Sequence, residues 1–453
     1  MTFKDKKIDV VILAAGMGTR MLSDTPKVLH ELLGKPMAAY ILEAVRTLCA
    51  EQPVVVVGSG AEQVKAKLAG TARFVLQEPQ LGTAHAVGCA RELLQGRSDA
   101  VIVANSDFPL ITTATYTALL EEHFRTGSVI TVSTVVADDP RGFGRVVRGA
   151  DGRICAIVED KAATPEQKKI KELNSNPYCF DARWLWQSLD KVEKSAVGEY
   201  YLTDLIRIAY DEGRTVGAIE VADPDESIGI NTRVHLAEAS KALQKRINTR
   251  WMLAGVSMID PEKVYIEDSV VIGRDTVLYP EVYLQGDTTI GAGCVLGPSV
   301  MVKDTRIGDR CRILFAMLES ARLENDVDMG PFGHLRKGAH LDNHVHMGNF
   351  GEIKNSHLGP GTKMGHFSYI GDAEIGPDVN IGAGTITCNY DGEGKYKTEI
   401  GAGAFIGSDT MLVAPVKIGK GAKTGAGAVV THDVPDNTIV VGVPAKELKK
   451  KQG

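Results

Sequence analysis

A glycine-rich segment near the start of the 453-residue sequence has the composition of a phosphate-binding loop. Residues 14–20 read Ala-Ala-Gly-Met-Gly-Thr-Arg and follow a short apolar run. Gly16 and Gly18 let the backbone come close to a phosphate chain, so that successive N–H groups can donate to it. Arg20 and the nearby Lys27 add positive charge. The segment therefore predicts a site for the phosphates of a nucleotide.

Two better-known phosphate loops fit this segment less well. A dinucleotide-binding loop needs a third glycine three residues after the second, and Met21 stands there. A Walker loop is excluded, because Gly-Lys-Ser or Gly-Lys-Thr never follows the first glycine at the required distance. Dinucleotide binding remains the weaker alternative.

A carboxylate is expected close to the loop. Asp107 follows the apolar run Ala100–Ala104, which places it at the carboxyl edge of a parallel strand, where α/β sheets bind ligands. Mg²⁺ prefers oxygen ligands and substrate phosphates, so one carboxylate and one amide can hold it. Asp107 is therefore a candidate metal ligand, with a turn-forming role before Pro109 as the alternative.

A second set of polar residues lies in the C-terminal half. An acyl transfer to an amine needs a base, because an ammonium has no lone pair, and histidine is the side chain best suited to this near pH 7. His366 is the candidate base, although a lone histidine is more often only a surface residue. The polar residues of this region are Arg336, Glu352, Lys354, His366, Tyr369, Asn380, Asn389 and Tyr390.

The elements that must position the first site belong to an α/β pattern that runs to about residue 231. Short apolar runs, typical of buried parallel strands, alternate with helix-like stretches. This predicts a doubly wound, mostly parallel, Rossmann-like domain over residues 1–231, followed by a linker helix over 232–253. The strand-like runs cover 9–13, 53–57, 100–104 and 129–136, and the helix-like stretches include 37–48 and 61–68.

The pattern changes to a period of six from about residue 264. Apolar residues recur at this spacing, for example at Ile272, Leu278, Leu284 and Ile290. Hexapeptide repeats are the signature of a parallel β-helix, which predicts a left-handed β-helix over residues 254–453. An antiparallel sandwich is the weaker alternative, because it needs alternation by two. The repeat breaks after Thr387, where a loop leaves the coil.

Composition excludes several classes of protein. The net charge of −6 gives no basic surface for nucleic acid, and no segment approaches the 18 uncharged apolar residues of a membrane span. The seven cysteines are scattered without a Cys-x-x-Cys pair, which favours reduced thiols. The N-terminus also lacks the apolar core of a signal peptide. We therefore expect a cytoplasmic protein without nucleic-acid or membrane partners.

The residues resemble the sugar-1-phosphate nucleotidyltransferases through the run Leu13-Ala-Ala-Gly-x-Gly-Thr-Arg-Met21 with Pro26-Lys27. Within that group, nearly the whole chain is similar to the bacterial bifunctional N-acetylglucosamine-1-phosphate uridylyltransferase/glucosamine-1-phosphate acetyltransferases. The further motifs that carry this resemblance are Gln77, Leu81-Gly-Thr83, Asp107, Gly142-Phe-Gly-Arg145, Glu159, Asn174, Glu199-Tyr-Tyr-Leu-Thr-Asp204 and Gly229-Ile-Asn231.

This resemblance implies that the N-terminal half transfers a uridylyl group from UTP to N-acetylglucosamine-1-phosphate, releasing pyrophosphate. Arg20 and Lys27 would be catalytic, and Asp107 and Asn231 would bind Mg²⁺. The residues implied to bind UDP-N-acetylglucosamine are Leu13, Ala14, Ala15, Gly16, Lys27, Gln77, Gly82, Thr83, Gly144, Glu159, Asn174 and Asn231.

For the C-terminal half, the resemblance implies acetyl transfer from acetyl-coenzyme A to glucosamine-1-phosphate, with His366 as general base. It also implies a homotrimer with acetyl sites between subunits. The implied sugar-phosphate ligands are Arg336, Lys354, Tyr369 and Asn380. The implied acetyl-coenzyme A contacts are Ala383, Asn389, Tyr390, Ser408 and Ala426.

The sequence departs from the family pattern at several positions, which puts nearby substrate contacts in question. These positions are Met17, Asn105, Ser106, Asn176, His334 and Gly442, with Lys446 or the run 449–451 as possible substitutes for the last.

Two other interpretations of the β-helix remain. It could hold zinc through some of its histidines, as in a hydratase, although zinc needs three converging ligands. It could instead be an assembly or allosteric module without chemistry of its own, which the polar set around His366 disfavours. The histidines available for zinc are His340, His344, His346 and His366.

Overall fold

The computed structural model describes residues 3–196 and 198–448. The chain folds into two compact units, Met1–Leu243 and Gln244–Gly453. The helix Arg233–Leu253 spans the division between the two units, so the predicted linker segment is a helix.

The first unit is built on a mostly parallel sheet. Its central path is parallel except for Glu172–Asp181, which runs antiparallel to both of its neighbours. A hairpin of Arg145–Arg148 and Ile154–Val158 joins the sheet through that same strand. In spatial order the path is Val216–Glu220, Ile130–Val136, Glu172–Asp181, Ala100–Asn105, Ile8–Ala14, Val54–Val57 and Arg73–Leu76.

Both faces of this sheet are covered. Alternate residues of one strand enter different cores: Val11 belongs to one buried cluster, and Val10 and Ile12 belong to the other. Two cores on opposite faces define a doubly wound α/β domain, which confirms the predicted class. The helices are Met37–Val45, Ala61–Lys67, Thr83–Cys89, Arg91–Leu94, Thr113–Thr126, Ala182–Ser188 and Asp204–Asp211.

The second unit is a β-helix with three flat faces, here called faces A, B and C. The strands pair in parallel with the strand one coil later, as Val282 does with Val300, except that Lys446–Glu447 runs antiparallel to Ile439–Val441 at the end of face A. The residues spaced by six point inward; Ile272, Leu278 and Leu284 are all buried. The period of six therefore arises because each coil turns one apolar side chain per face into the core, as predicted.

The strands of the three faces follow one another in chain order. Face A contains Ser257–Met258, Val277–Leu278, Val295–Leu296, Arg312–Ile313, Asp328–Met329, His346–Met347, Lys363–Met364, Asn380–Ile381, Phe405–Ile406, Lys423–Thr424, Ile439–Val441 and Lys446–Glu447. Face B contains Val264–Ile266, Val282–Gln285, Val300–Lys303, Ala316–Glu319, Gly333–Leu335, Gly351–Lys354, Ser368–Gly371, Ile386–Cys388, Met411–Val413 and Val429–Val430. Face C contains Val271–Ile272, Thr289–Ile290, Arg306–Ile307, Arg322–Leu323, His340–Leu341, His357–Leu358, Ala373–Ile375, Thr398–Ile400 and Val416–Ile418.

One loop interrupts the coils where the sequence predicts it. After Ile386–Cys388 the chain leaves face B and returns at Thr398–Ile400 on face C. A bridge between Tyr390 and Lys395 folds the loop back on itself. Among the described helices, none is both long enough and apolar enough to cross a bilayer.

Candidate functional site

The carboxyl ends of two neighbouring strands bring the phosphate loop and Asp107 together. Leu13 of the first strand lies opposite Asn105 of the second. The backbone N–H and the hydroxyl of Ser106 both donate to the carbonyl of Leu13, at 3.1 and 2.6 Å. Ser106, one of the positions where the sequence departs from the family pattern, therefore links the ends of the two strands.

Four of the predicted residues form one hydrogen-bonded cluster beside this edge. The Lys27 ammonium donates to Asp107 Oδ2 at 2.7 Å and to Asn231 Oδ1 at 2.8 Å. Arg20 Nη2 donates to the same Asn231 oxygen at 2.8 Å. Asn231 is held there because the Ile230 N–H donates to the Asp107 carbonyl at 2.8 Å. The fold thus joins residues that are more than 200 positions apart in the sequence.

The second carboxylate oxygen of Asp107 is buried and has no hydrogen-bond partner. A buried carboxylate oxygen normally has a partner, so this atom is suited to a ligand. The oxygens of Asp107 and Asn231 both face the Lys27 nitrogen and are of the type that Mg²⁺ prefers. These two residues therefore fit a magnesium ion chemically.

The two glycines of the loop have different roles, because only Gly18 is required by a close neighbour. Gly18 has a φ of +63°, and a Cβ there would lie 2.5 Å from the Cβ of Lys27. A side chain at this position would displace the lysine. Nothing lies within 4 Å of a Cβ on Gly16, so its backbone is open to a ligand. Ala14 and Ala15, which precede it, are buried at the strand end.

A second wall of this site comes from residues 77–83. Gln77 Nε2 donates to the Gly82 carbonyl at 2.9 Å, and Thr83 Oγ1 accepts from the Leu202 N–H at 2.9 Å. Gln80 donates to the Ala15 carbonyl at 2.7 Å and so links this wall to the phosphate loop. Gln80 was not predicted from the sequence, although it lies within the same short segment.

Two of the residues predicted to bind the sugar, Gly144 and Asn174, are hydrogen-bonded to each other. The Asn174 N–H donates to the Gly144 carbonyl at 2.9 Å, and its side-chain Nδ2 donates to the Tyr178 hydroxyl at 2.6 Å. The side-chain oxygens of Asn174 and Asn176 are buried without a partner. Two such acceptors are suited to the hydroxyl and N–H donors of a sugar. Asn176, a departure from the family pattern, thus supplies a polar atom of its own.

Burial of Glu159 raises the pKa of its carboxyl. The hydroxyl of Thr203 donates to Oε1 at 3.3 Å, which acts in the opposite direction. Nearby Asp204 also raises that pKa. The carboxyl has lost part of its hydration and gains from an additional hydrogen-bond donor, which a sugar can supply.

On the β-helix, four predicted residues occupy the same corner position in successive coils. His366, Ala383, Ser408 and Ala426 each lie two residues after a strand of face A. With Asn380 they line a pocket of about 660 Å³. The small side chains after His366 leave room for an extended ligand along the corner.

The predicted phosphate ligands lie on face B, and their surroundings are more cationic than expected from the sequence. Arg336 forms an ion pair with Glu352 at 2.8 Å. Lys354 faces Lys395 and Arg336. Repulsion between these positive charges lowers the pKa of Lys354, and Lys395 has the larger effect. Lys395 was missed because its position in the loop gives no local signal. The repulsion that Lys354 experiences from two neighbouring cations favours an anionic ligand at this place.

The remaining predicted residues lie where the loop leaves the coil. Asn389 is buried, and its Nδ2 donates to Asp372 Oδ2 at 2.5 Å. The Tyr390 ring is 60% exposed, while its hydroxyl donates to the Gly392 carbonyl at 2.6 Å. Tyr369 belongs to the face B strand Ser368–Gly371.

The hydratase interpretation is not supported within residues 3–196 and 198–448. His346 pairs with Asp328 at 2.9 Å on face A, and His366 belongs to no group of three potential metal ligands. His334 is one of the positions where the sequence departs from the family pattern. Its Nε2 lies 3.1 Å from Oε2 of Glu319. Gly442 and Lys446 are described, whereas the run 449–451 lies outside the described residues.

Comparisons with known proteins agree with both halves of the chain. Residues 10–207 match the family model of the MobA-like NTP transferase domain. Residues 269–304 and 397–432 match the model of the bacterial transferase hexapeptide, which contains six repeats.

Relatives match over almost the full length. A protein named Bifunctional protein GlmU from Heliobacterium modesticaldum is 46% identical over 98% of this chain and 97% of its own. Proteins of the same name from Geobacillus thermodenitrificans (48% identical, 97% and 96% covered) and Trichlorobacter lovleyi (47%, 95% and 95%) are similar. The chain therefore belongs to the GlmU family and is a bifunctional transferase, with nucleotidyl transfer in its N-terminal half and acetyl transfer in its hexapeptide-repeat half.

Proposed function

We propose that the cluster around Asp107 is the site where UTP and N-acetylglucosamine-1-phosphate form UDP-N-acetylglucosamine and pyrophosphate. The observation that carries this proposal is the convergence of two cations, a carboxylate and an amide at the end of the phosphate loop. We assign this activity to residues 1–231, the linker to 232–253 and acetyl transfer to 254–453.

In this reaction an oxygen of the sugar phosphate attacks the α-phosphorus of UTP in line with the departing pyrophosphate. No general base is needed, because the attacking phosphate oxygen is ionised at neutral pH. The work of the chain is therefore to position two anions and to neutralise their charge. Gln77, Gly82 and Thr83 would hold the nucleotide, while Gly144, Glu159 and Asn174 would hold the sugar.

We propose Asp107 and Asn231 as the residues that hold Mg²⁺ in this site. The unpartnered Oδ1 of Asp107 supports this assignment. When bound, Mg²⁺ supplies positive charge to the phosphate oxygens. The ammonium of Lys27 bridges the side chains of Asp107 and Asn231. It would therefore be within reach of phosphates bound at these two residues.

Lys27→Ala should lower kcat/KM for uridylyl transfer by roughly a hundredfold or more, because it removes a fixed cation that faces charge developing in the transition state. Arg20→Ala should have an effect of the same size. Steady-state assays with UTP measure both. Lys65→Ala, which removes a lysine paired with Glu62 across one helical turn, is the matched control. Unchanged efficiency in Lys27→Ala would assign this lysine a structural role only.

We propose that the corner pocket and the cations of face B together form the acetyl-transfer site. Arg336 and Lys354 would bind the phosphate of glucosamine-1-phosphate, and Tyr369 and Asn380 would hold its sugar. Acetyl-coenzyme A would contact the corner residues Ala383, Ser408 and Ala426 together with Asn389 and Tyr390 of the loop.

The nitrogen of the sugar amine would attack the acetyl carbonyl, and His366 would take a proton from that amine. A bond forms between that nitrogen and the acetyl carbon, and the carbon–sulfur bond breaks. The proton taken by His366 then passes to the leaving sulfur, so that coenzyme A is released as the thiol. His366 is exposed at the corner and lines the pocket, so it can reach a bound substrate. The departure at Gly442 leaves the outer part of the coenzyme without the arginine common in the family.

We further propose a homotrimer whose subunits cover an apolar corner of the β-helix. Four exposed phenylalanines occupy one position in successive coils between faces A and B, and the rings of Phe332 and Phe350 stack at 5.1 Å. Exposed apolar residues on this scale mark association surfaces. The ladder consists of Phe315, Phe332, Phe350 and Phe367, with Tyr265, Tyr283, Met301 and Met317 exposed on the adjacent face B.

Position supports a second copy as the occupant of this corner. Phe367 directly follows His366, so a subunit packed on the ladder would also border the acetyl pocket. Face C instead carries charged residues such as Arg306, Arg322 and Lys417 on its outer side, which suits contact with water. Neighbouring copies packed corner to corner would close a threefold assembly.

Replacing Phe332 and Phe350 together with Ser should convert the trimer to monomers and lower acetyl transfer at least about tenfold, because apolar contact area and one wall of the acetyl site are lost. Uridylyl transfer should persist. Analytical ultracentrifugation with assays of both reactions measures this. Val271→Ser, at an exposed apolar position of face C, is the control. A double variant that remains trimeric would contradict the proposed interface.

We also propose that the protein works in the cytoplasm. All seven cysteines are free thiols in the fold, which is expected in a reducing compartment. UTP, acetyl-coenzyme A and the two sugar phosphates are small molecules, so the proposal requires neither a nucleic acid nor a membrane partner.

A further inference from the structure

A group of three potential metal ligands lies on face C of the β-helix. It consists of His340, Asp342 and His357, and one ligand atom of each lies within 4.8 Å of the others. The Nε2 of His340 is 3.4 Å from Asp342 Oδ1, and the Nε2 of His357 is 2.9 Å from Asp342 Oδ2. Both imidazoles therefore direct the same type of nitrogen at one carboxylate.

The register of the coils creates this convergence. His340 and His357 are direct partners in adjacent parallel strands, and their rings stack at 4.7 Å with an interplanar angle of 19°. The stacking places the two rings side by side, so that the Nε2 atoms of both lie near the carboxylate of Asp342.

The surroundings of His357 match those of a metal-binding histidine. Its Nδ1 pairs with Glu374 Oε1, which leaves Nε2 directed at Asp342. A carboxylate on the second nitrogen commonly orients a ligating imidazole and increases its basicity. Glu324 lies 3.1 Å from the Nε2 of His340 and so adds a further oxygen beside the group.

The carboxylates that pair with His357 also change its pKa. Partial burial lowers the pKa of His357, but the hydrogen bonds that Glu374 and Asp342 accept from it outweigh this effect, so the net pKa is raised. Desolvation raises the pKa of Glu374, but the hydrogen bond and charge of the same histidine outweigh it, so that pKa is lowered. The carboxylates on the two nitrogens of His357 therefore fix the orientation of its ring.

We propose that His340, Asp342 and His357 bind a divalent transition-metal ion of the zinc class. Two imidazole nitrogens with one carboxylate oxygen select zinc, cobalt, nickel or copper over magnesium or calcium. Bonds of about 2.0–2.2 Å in a tetrahedral site place ligand atoms about 3.3 Å apart. The two nitrogen–oxygen separations of 2.9 and 3.4 Å are already close to that value.

This site would be structural, because the ion would join two successive coils at their outer surface. It differs from the hydratase interpretation, since His344, His346 and His366 take no part. The group lies on face C, whereas the proposed acetyl site uses the corner of faces A and B, the cations of face B and the loop that follows them. Zinc binding should therefore raise the melting temperature without being required for either transfer reaction.

The test is calorimetric titration of the chelator-treated, full-length protein with zinc chloride. The wild type should bind one more zinc ion per chain than His357→Ala, and Asp342→Asn should lose the same ion. Glu374→Gln should keep the stoichiometry but bind about 10- to 100-fold more weakly, because it loses the carboxylate that orients His357. His432→Ala removes an exposed histidine outside the group and should behave as wild type.

Two further measurements separate this site from other metal-binding groups. Zinc should raise the melting temperature of the wild type and of His432→Ala but not of His357→Ala. Acetyl transfer by metal-free His357→Ala should equal that of the metal-free wild type, which shows that the coils are intact. If that variant is misfolded, His340→Gln takes its place in the titration. Equal zinc stoichiometry and affinity in wild type and variants, or no zinc bound by the wild type, would overturn the proposal.

Discussion

The variant His366→Ala is expected to lose acetyl transfer by roughly a hundred- to ten-thousandfold, the usual effect of removing a positioned base. The substrate amine can attack only after it has given up a proton. Two histidines line the corner pocket, His346 and His366. His346 is paired with Asp328 at 2.9 Å, so His366 is the candidate base next to the proposed sugar and coenzyme contacts.

Two controls make this result specific. Uridylyl transfer by His366→Ala should be unchanged, because the two sites belong to separate compact units. His344→Ala, at an exposed position outside the pocket, should keep both activities. If His366→Ala retains more than about a third of the wild-type acetylation rate, far above the range for a lost base, His366 is not the base.

Asp107→Ala should lower uridylyl transfer by roughly a thousandfold or more, because a metal that neutralises the phosphates contributes several kcal/mol to transition-state stabilisation. The carboxylate also holds Lys27 through the 2.7 Å hydrogen bond, so its loss disturbs the fixed cation as well. Assays of UDP-sugar formation over a magnesium series measure the effect. Acetyl transfer should remain at the wild-type rate.

Asp107→Asn separates the two contributions. An amide oxygen can still accept from Lys27 but is a weaker magnesium ligand, so this variant should need a higher magnesium concentration. Asp138→Ala removes an exposed carboxylate paired with Lys171 and should show the wild-type magnesium dependence. Undiminished activity of Asp107→Ala at low magnesium would remove this residue from the site.

Much of the fold could be predicted because its signals are local. Runs such as Ala100–Ala104 are too apolar for any position except a buried strand, and the period of six identifies the coils without knowledge of their contacts. Gly18 could also be predicted as part of a phosphate loop. Its specific reason, the closeness of Lys27, is a tertiary contact and is visible only in the fold.

Other features depend on contacts that no local pattern contains. The placement of Asn231 beside Asp107 was implied by family resemblance, and a backbone hydrogen bond from Ile230 accounts for it physically. Lys395 lies in the loop that interrupts the repeat, so its contact with Lys354 follows only from the path of that loop. His340 and His357 are 17 residues apart and meet because one coil separates them.

The most direct measurement of the central account is product analysis with glucosamine-1-phosphate, acetyl-coenzyme A, UTP and magnesium, omitting one reagent at a time. The complete mixture should give UDP-N-acetylglucosamine, coenzyme A and pyrophosphate. Without UTP or magnesium, N-acetylglucosamine-1-phosphate should accumulate; without acetyl-coenzyme A, glucosamine-1-phosphate should remain largely unchanged. UDP-N-acetylglucosamine formed from this mixture without acetyl-coenzyme A, or no acetylated sugar in the complete mixture, would contradict the assignment of two sequential reactions to this chain.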